Sequence, residues 1–144
     1  MIQIISIKVN CFLLCFLTIM INGKQLILKK SMDCLFCKII NKIIPAHIIF
    51  ETDVLLAFRD ISPQTPDHIL IIPKKHMASL NEATSEDTMM LGRLLCAAID
   101  ICEKLGHLNK GYRLVMNTGE NGGQTVSHIH LHLLAGRPMQ WPPG

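Results

Sequence analysis

Aromatic side chains are scarce in this chain: one Trp, one Tyr and five Phe make up 5% of 144 residues. That excludes the stacking platform on which single-stranded nucleic acid is held. Charge is also scarce, at 17% Asp, Glu, Lys and Arg, against 49% hydrophobic residues. Such a balance gives a buried core and excludes wholesale disorder. No acidic residue occurs in residues 1–31, where Lys8, Lys24, Lys29 and Lys30 stand. The remaining 113 residues carry 10 Lys and Arg against 11 Asp and Glu, so the formal +3 belongs to the leader. A basic surface for polyanions is excluded, and nucleic acid is not an expected partner. The six cysteines, at 11, 15, 34, 37, 96 and 102, lack the spacing of a small secreted disulfide scaffold. A reducing compartment follows.

Beyond a single apolar stretch, no long hydrophobic run exists. Residues 9–23 are uncharged and apolar, shorter than the ~20 residues of a spanning helix. They match a signal-peptide core in length, with Lys8 as a thin basic flank, yet no small-x-small cleavage site follows. A targeting segment, a membrane anchor including Met1–Ile7 and a dispensable extension all remain open. The length supports one domain, so the expectation is a leader over 1–31 and a single domain over 32–144. The working protein is expected in the cytoplasm, with nuclear entry open, and meets a membrane only if the leader is retained. Entry to the secretory pathway is the alternative.

Within the domain, Asp33 is positioned to cap a short helix ending near Asn41, before Ile44-Pro45. His47–Glu51 and Val54–Arg59 flank Thr52-Asp53 as a hairpin. Two prolines in Ser62–Asp67 mark a turn, and His68–Ile72 is a continuous apolar strand stopped by Pro73. Thr84–Asp87 starts the one long helix, on which Leu91, Leu94, Leu95, Ala98, Cys102 and Leu105 recur at helical spacing before Gly106. Gly111–Asn117 and Val126–Leu134 read as strands around the glycine-rich loop 118–123. These elements predict an α+β fold: a five-stranded, mainly antiparallel sheet with one long and one short helix.

The chemistry lies in His128-Ile129-His130-Leu131-His132. Alternation on a strand puts the three imidazoles on one face and Ile129, Leu131 and Leu133 on the core face. Two chemistries suit such a row: zinc ligation by His-x-His, and nucleophilic attack on phosphorus by a neutral imidazole. The preceding loop, Asn117 and Gly119–Thr125, brings backbone amides that can approach phosphate oxygens. A phosphate cradle contiguous with a nucleophile favours the second.

The pattern His128 to Leu134 resembles the histidine triad signature. CKIINKIIPAHIIFE, AFRDISPQTPDHILIIPKKH, LNKGYRLVMNTGENGGQTVSHIHLHLL and the terminal WPPG resemble its Hint branch, the histidine triad nucleotide-binding proteins. The resemblance covers residues 33–144 and leaves 1–31 without a counterpart. It implies a homodimeric, HIT-like hydrolase of purine nucleoside phosphoramidates, such as AMP joined to an amine. His130 would be the nucleophile, transiently nucleotidylated. His128 would orient it with help from His68, and His132 would contact the phosphate and assist the leaving group. Asp60 would hold the ribose, with Phe36, Ile39, Phe58 and Ile61 around the base and Asn117, Gly123, Gln124 and Thr125 on the phosphate. Trp141, on a tail from Arg137 to Gly144 that reaches toward the partner's site, would act across the dimer. Thr125 replaces the usual serine, and Ser127 a usual aromatic. A binding module with vestigial catalysis and a dinucleoside polyphosphate hydrolase remain as alternatives.

Cys34-x-x-Cys37 has ligand spacing but is half of a tetrahedral site. Members of the wider family hold structural zinc with such a pair and two histidines, and His68 and His128 are the matching positions here. Members ending in WPPG usually lack the pair. No cofactor is expected to be required for catalysis. His76 and His107 read as surface residues.

Overall fold

A computed structural model describes residues 33–143; the leader expected over 1–31, together with Met32 and Gly144, lies outside the described residues. Helix α1 spans Leu35–Ile40, with Cys34 as its N-cap and no side-chain capping bond. Asp33 therefore does not cap it. The helix closes where Asn41 Nδ2 donates to the carbonyl of Cys37 at 2.8 Å and Lys42 turns left-handed.

Strands β1 (Ile48–Glu51) and β2 (Leu55–Arg59) form the expected hairpin. Thr52 sets its turn by accepting the amides of Val54 and Leu55 on its hydroxyl. Strand β3 (Asp67–Pro73) is buried from His68 onward. Helix α2 (Thr88–Lys104) follows a 3-10 turn, Ser85–Asp87, closed by a capping box between Thr84 and Asp87. Strands β4 (Tyr112–Val115) and β5 (Leu131–Ala135) complete the sheet. Its order is β1-β2-β3-β5-β4, and every neighbouring pair is antiparallel. The α+β reading holds.

Alternation divides the sheet's faces. Ile69 and Ile71 of β3 and Leu131 and Leu133 of β5 join Leu94, Ala98, Ile101 and Cys102 of α2 in the larger core. Leu70 and Ile72 turn the other way, joining Leu56, Phe58, Phe36 and Ile39 under α1. His132 pairs with Leu70 across the ladder, so it shares the α1 face. A fully buried Leu or Ile contributes about 1.5–3 kcal/mol, so Leu133, Ile69 and Ile71, all unexposed, fix the face that His132 takes on β5.

The last strand is shorter than the expected Val126–Leu134. Its ladder with β3 ends at Ile71–Leu131, two residues before Pro73, which has no N–H to continue a ladder. His128 and His130 precede the strand. They are held instead by the Ile129 amide, which donates to Met77 O at 2.8 Å, and by the His128 ring against Pro73 O at 2.8 Å.

Candidate active site

His130 is buried, with its Nδ1 2.7 Å from the main-chain carbonyl of His128. A carbonyl only accepts, so Nδ1 carries a proton, and in the neutral tautomer Nε2 is the nitrogen with the lone pair. The ring of His130 lies 4.9 Å from that of His132. Phe36 meets His130 and His128 edge-on, at 5.3 and 5.9 Å between ring centres. These contacts hold the His130 ring in one orientation.

His132 pairs with His68 through Nδ1 and Nε2, 2.9 Å apart. The Gln64 amide donates to His68 Nδ1 at 3.2 Å. Burial, the nearby His130 and then His68 push His132 down to about 4. Burial also lowers His68, against the carboxylate of Asp60. Both rings are neutral at pH 7. Asp60 accepts the Ser62 amide at 2.7 Å and sets its other oxygen 3.6 Å from His68 Nε2.

The glycine loop borders a cavity of about 500 Å³ lined by Ala78, Ser79, Gly119, Glu120, Gly123, Gln124, Thr125 and Ser127. Gln124 is a strut of this loop. Its Nε2 donates to Ala78 O at 2.6 Å and Val126 O at 2.9 Å, and its Oε1 accepts the Gly119 amide at 3.1 Å. Asn117 Nδ2 reaches Gly123 O at 3.5 Å. Gly123 is left-handed, and a Cβ on Gly122 would run into the backbone carbonyl of Thr118. The loop therefore takes this path only with glycine at these two positions.

Three further ligating side chains meet His128 at one end of the row. Cys34 Sγ and Cys37 Sγ lie 3.5 and 3.6 Å from His128 Nδ1. His76 Nδ1 lies 3.3 Å from Cys37 Sγ and 3.2 Å from His128 Nδ1. A tetrahedral zinc with ~2.3 Å bonds to sulfur and ~2.0–2.1 Å bonds to nitrogen sets its ligands ~3.6 Å (S to N) and ~3.3 Å (N to N) apart. The residues fit the ion. His128 Nε2 donates to Pro73 O, the outer hydrogen bond that fixes a ligating imidazole with Nδ1 toward the metal.

The HIT domain family matches residues 41–139. This chain belongs to it. It is 54% identical over 114 residues to an uncharacterized HIT-like protein of Synechococcus elongatus, across 79% of this chain and 99% of that relative. It is 49% identical over 107 residues to the purine nucleoside phosphoramidase of Escherichia coli K12, across 74% of this chain and 90% of the relative. A HIT family hydrolase from Legionella pneumophila, solved by crystallography, superposes with a TM-score of 0.77 at 53% identity. That match covers 78% of this chain and 100% of the other.

The HIT domain arranges several residues differently from the sequence reading. His68 stands beside Asp60 and His132, where the three could share an ion, and not beside the cysteines or His128. The ligand cluster takes His76 in its place. Antiparallel pairing explains this: His68 faces Leu134, while His128 sits at the Pro73 end. Those points are five residues apart on β3, about 16 Å at ~3.3 Å per residue. His128 orients His130 through its backbone carbonyl. Neither His76 nor His107 is a plain surface residue; His107 is buried and its Nε2 lies 2.7 Å from Asp67. Phe36, Ile39 and Phe58 are 3%, 7% and 4% exposed, so their role as core residues under α1 is established geometry. Ile61 is fully exposed, Trp141 is 85% exposed, and Thr125 lies open on the loop.

Proposed function

We propose that this HIT domain hydrolyses purine nucleoside phosphoramidates through a nucleotidyl-histidine intermediate. The observation that carries the reading is the 2.7 Å contact of His130 Nδ1 with the His128 carbonyl, which fixes the ring and leaves Nε2 as the nitrogen free to attack. His130 Nε2 attacks phosphorus, and the bond from phosphorus to the amine nitrogen breaks. The leaving nitrogen takes up one proton. Water then attacks the phosphorus, the bond to Nε2 breaks, and one proton is returned. The sum is one water consumed, with AMP and a free amine as products. His132 donates a hydrogen bond from Nε2 to the phosphoryl oxygens or the leaving group. Asp60 holds the ribose, Phe36, Ile39, Phe58 and Ile61 border the base, and Asn117, Gly123, Gln124 and Thr125 shape the phosphate loop. The name of the Escherichia coli relative supports the substrate class.

Zinc, in this reading, is structural and sits on Cys34, Cys37, His76 and His128, tying α1 to the segment before β5 that carries the nucleophile. A homodimer is supported by strand β4, whose outer edge is unpaired among the described residues, and by Leu95 and Ile99, exposed one turn apart on α2. Trp141, exposed in one chain, would then meet the partner's site. In this reading the protein works in the cytoplasm, and the domain over 32–144 suffices for the activity. Among the described residues, no helix is long and apolar enough to cross a membrane.

Adenosine 5'-phosphoramidate and a diadenosine polyphosphate, offered together to the purified protein, test the activity. Release of AMP and amine from the first is expected. Preferential cleavage of the second would move the reading to a polyphosphate hydrolase, and AMP binding without turnover would reduce it to a binding module.

A further inference from the structure

The hydrogen bonds around His68 form a directed chain that starts at the tail of the domain. Arg137 Nε and Nη2 both donate to the carbonyl of Gln64, each at 3.3 Å. Gln64 Nε2 donates to Ser62 O at 2.9 Å, and Asp60 Oδ1 accepts the Ser62 amide at 2.7 Å. The loop is thereby held with the Gln64 amide aimed at His68 Nδ1, 3.2 Å away. A backbone N–H can only donate, so His68 Nδ1 must be the acceptor and His68 Nε2 must carry the proton. Two acceptors face that Nε2: His132 Nδ1 at 2.9 Å and Asp60 Oδ2 at 3.6 Å. His132 Nδ1 is then a lone pair, and its proton sits on Nε2. That Nε2 is buried with no hydrogen-bond partner among the described residues.

We infer that Arg137 is a positioning residue: by clamping the Gln64 carbonyl it fixes the tautomers of His68 and His132, so that His132 presents an N–H, not a lone pair, to the site. The chain has one direction only. A proton moved to His68 Nδ1 would confront the Gln64 amide donor with a second donor. Its Nε2 would then be a lone pair, and His132 would have to donate from Nδ1. His132 Nε2 would face the phosphoryl oxygens as an acceptor against acceptors, which repels an anion where the intact chain attracts it. Arg137 touches neither ring and acts wholly through the loop. Lysine at the same place has a point charge and no fork, so it cannot reproduce the two-pronged grip.

Histidine ¹⁵N NMR reads the tautomers directly, whether or not the protein turns anything over. The wild-type rings of His68 and His132 are expected as single Nε2–H tautomers. In Arg137→Ala both are expected to become mixtures, Arg137→Lys restoring them only in part. In Gln64→Pro, which lacks the donor N–H, His68 is expected to lose its preference altogether. A thermal melt within a few degrees of wild type for Arg137→Ala separates this from unfolding, and Arg137→Ala alone decides the matter if Gln64→Pro fails to fold. Wild-type tautomers in Arg137→Ala overturn the inference. The kinetic half rests on the proposed hydrolysis: for Arg137→Ala, kcat is expected to fall about tenfold, less than the ~10²–10⁴-fold of a group that itself transfers the proton, and most for amines that leave poorly, with KM within about twofold. No turnover by the wild type, with tautomers that still respond to Arg137, would sink the hydrolysis and leave the positioning role standing. Equal kcat in Arg137→Ala and wild type would overturn the catalytic role.

Discussion

The main-chain carbonyl of His128 stands 2.7 Å from Nδ1 of His130 and ties the buried imidazole to the segment just before β5. Because the tie is to backbone, no substitution at 128 removes it. Replacing His130 by Ala deletes the proposed nucleophile and is expected to leave the loop and the α1 face in place. Turnover of adenosine 5'-phosphoramidate is expected to fall by more than about 10³-fold, as for other covalent nucleophiles, with AMP affinity held within a few fold. Activity within threefold of wild type would show that another group attacks.

Gly122 is the tightest point of the glycine loop. A methyl group there meets the Thr118 carbonyl, backbone against backbone, and neither can step aside without opening the loop. Gly122→Ala is expected to cost about 1–3 kcal/mol of stability and to lower kcat/KM more than Gly119→Ala, where nothing stands within 4 Å although the backbone is left-handed. Thermal melts and steady-state rates on both variants check this ordering.

The α+β class, the hairpin and the long helix are legible because each is written in short-range pattern: a continuous apolar run on β3, period 3.6 on α2. The three histidines are legible as a group, but only His132 lies on the strand that their alternation predicts. Where reading failed, the missing quantity was register. The contrast between His68 and His76 turns on which end of β3 meets His128, and that is set by Leu70 opposite His132, a tertiary pairing absent from any local window. His76 had one visible signal, a histidine directly after the Pro73-Lys74-Lys75 strand stop. Gln124 was legible as a hydrogen-bonding residue, but not as a strut, since Ala78 lies 46 residues away. Arg137 was read only as part of the tail; its hold on Gln64 spans 73 residues.

Zinc separates the two candidate ligand sets. His76→Ala and Cys37→Ser each remove a ligand that the other three donors cannot replace, so metal measured on the purified protein is expected to fall from about one ion per chain to none. His68→Ala should keep the ion, since His68 lies with Asp60 and His132. The melting temperature is expected to drop with the metal, because the ion joins α1 to the segment before β5. Metal retained in His76→Ala and lost in His68→Ala would restore the set that the sequence suggested.

Leu95 and Ile99 are 50% and 47% exposed, four residues apart on one face of α2. On a lone domain they are an unexplained apolar stripe; against a twofold partner they are an interface. Sedimentation of the wild type at micromolar concentration is expected to show a species of twice 16.1 kDa. Leu95→Glu with Ile99→Glu should give a folded monomer, since both side chains point away from the larger core. A wild-type monomer would remove the dimer from the reading.

Acid should loosen the active-site face before it unfolds the rest. Burial, with His130 and His68 nearby, pushes His132 down to about 4, while Asp60 pulls it up less strongly. The unfolded ring titrates near 6.5. Between those values the unfolded chain binds more protons than the folded one, so stability rises with pH across this window and is lost as pH falls from about 6.5 toward about 4. His68, lowered by burial, adds to the same slope. Melts at about pH 7 and about pH 5 are therefore expected to differ, the acid sample melting lower. His132→Gln keeps a hydrogen-bonding side chain and cannot titrate, so the difference should shrink in that variant. An equal drop in His132→Gln would assign the acid sensitivity to other groups and leave His132 as a spectator of it.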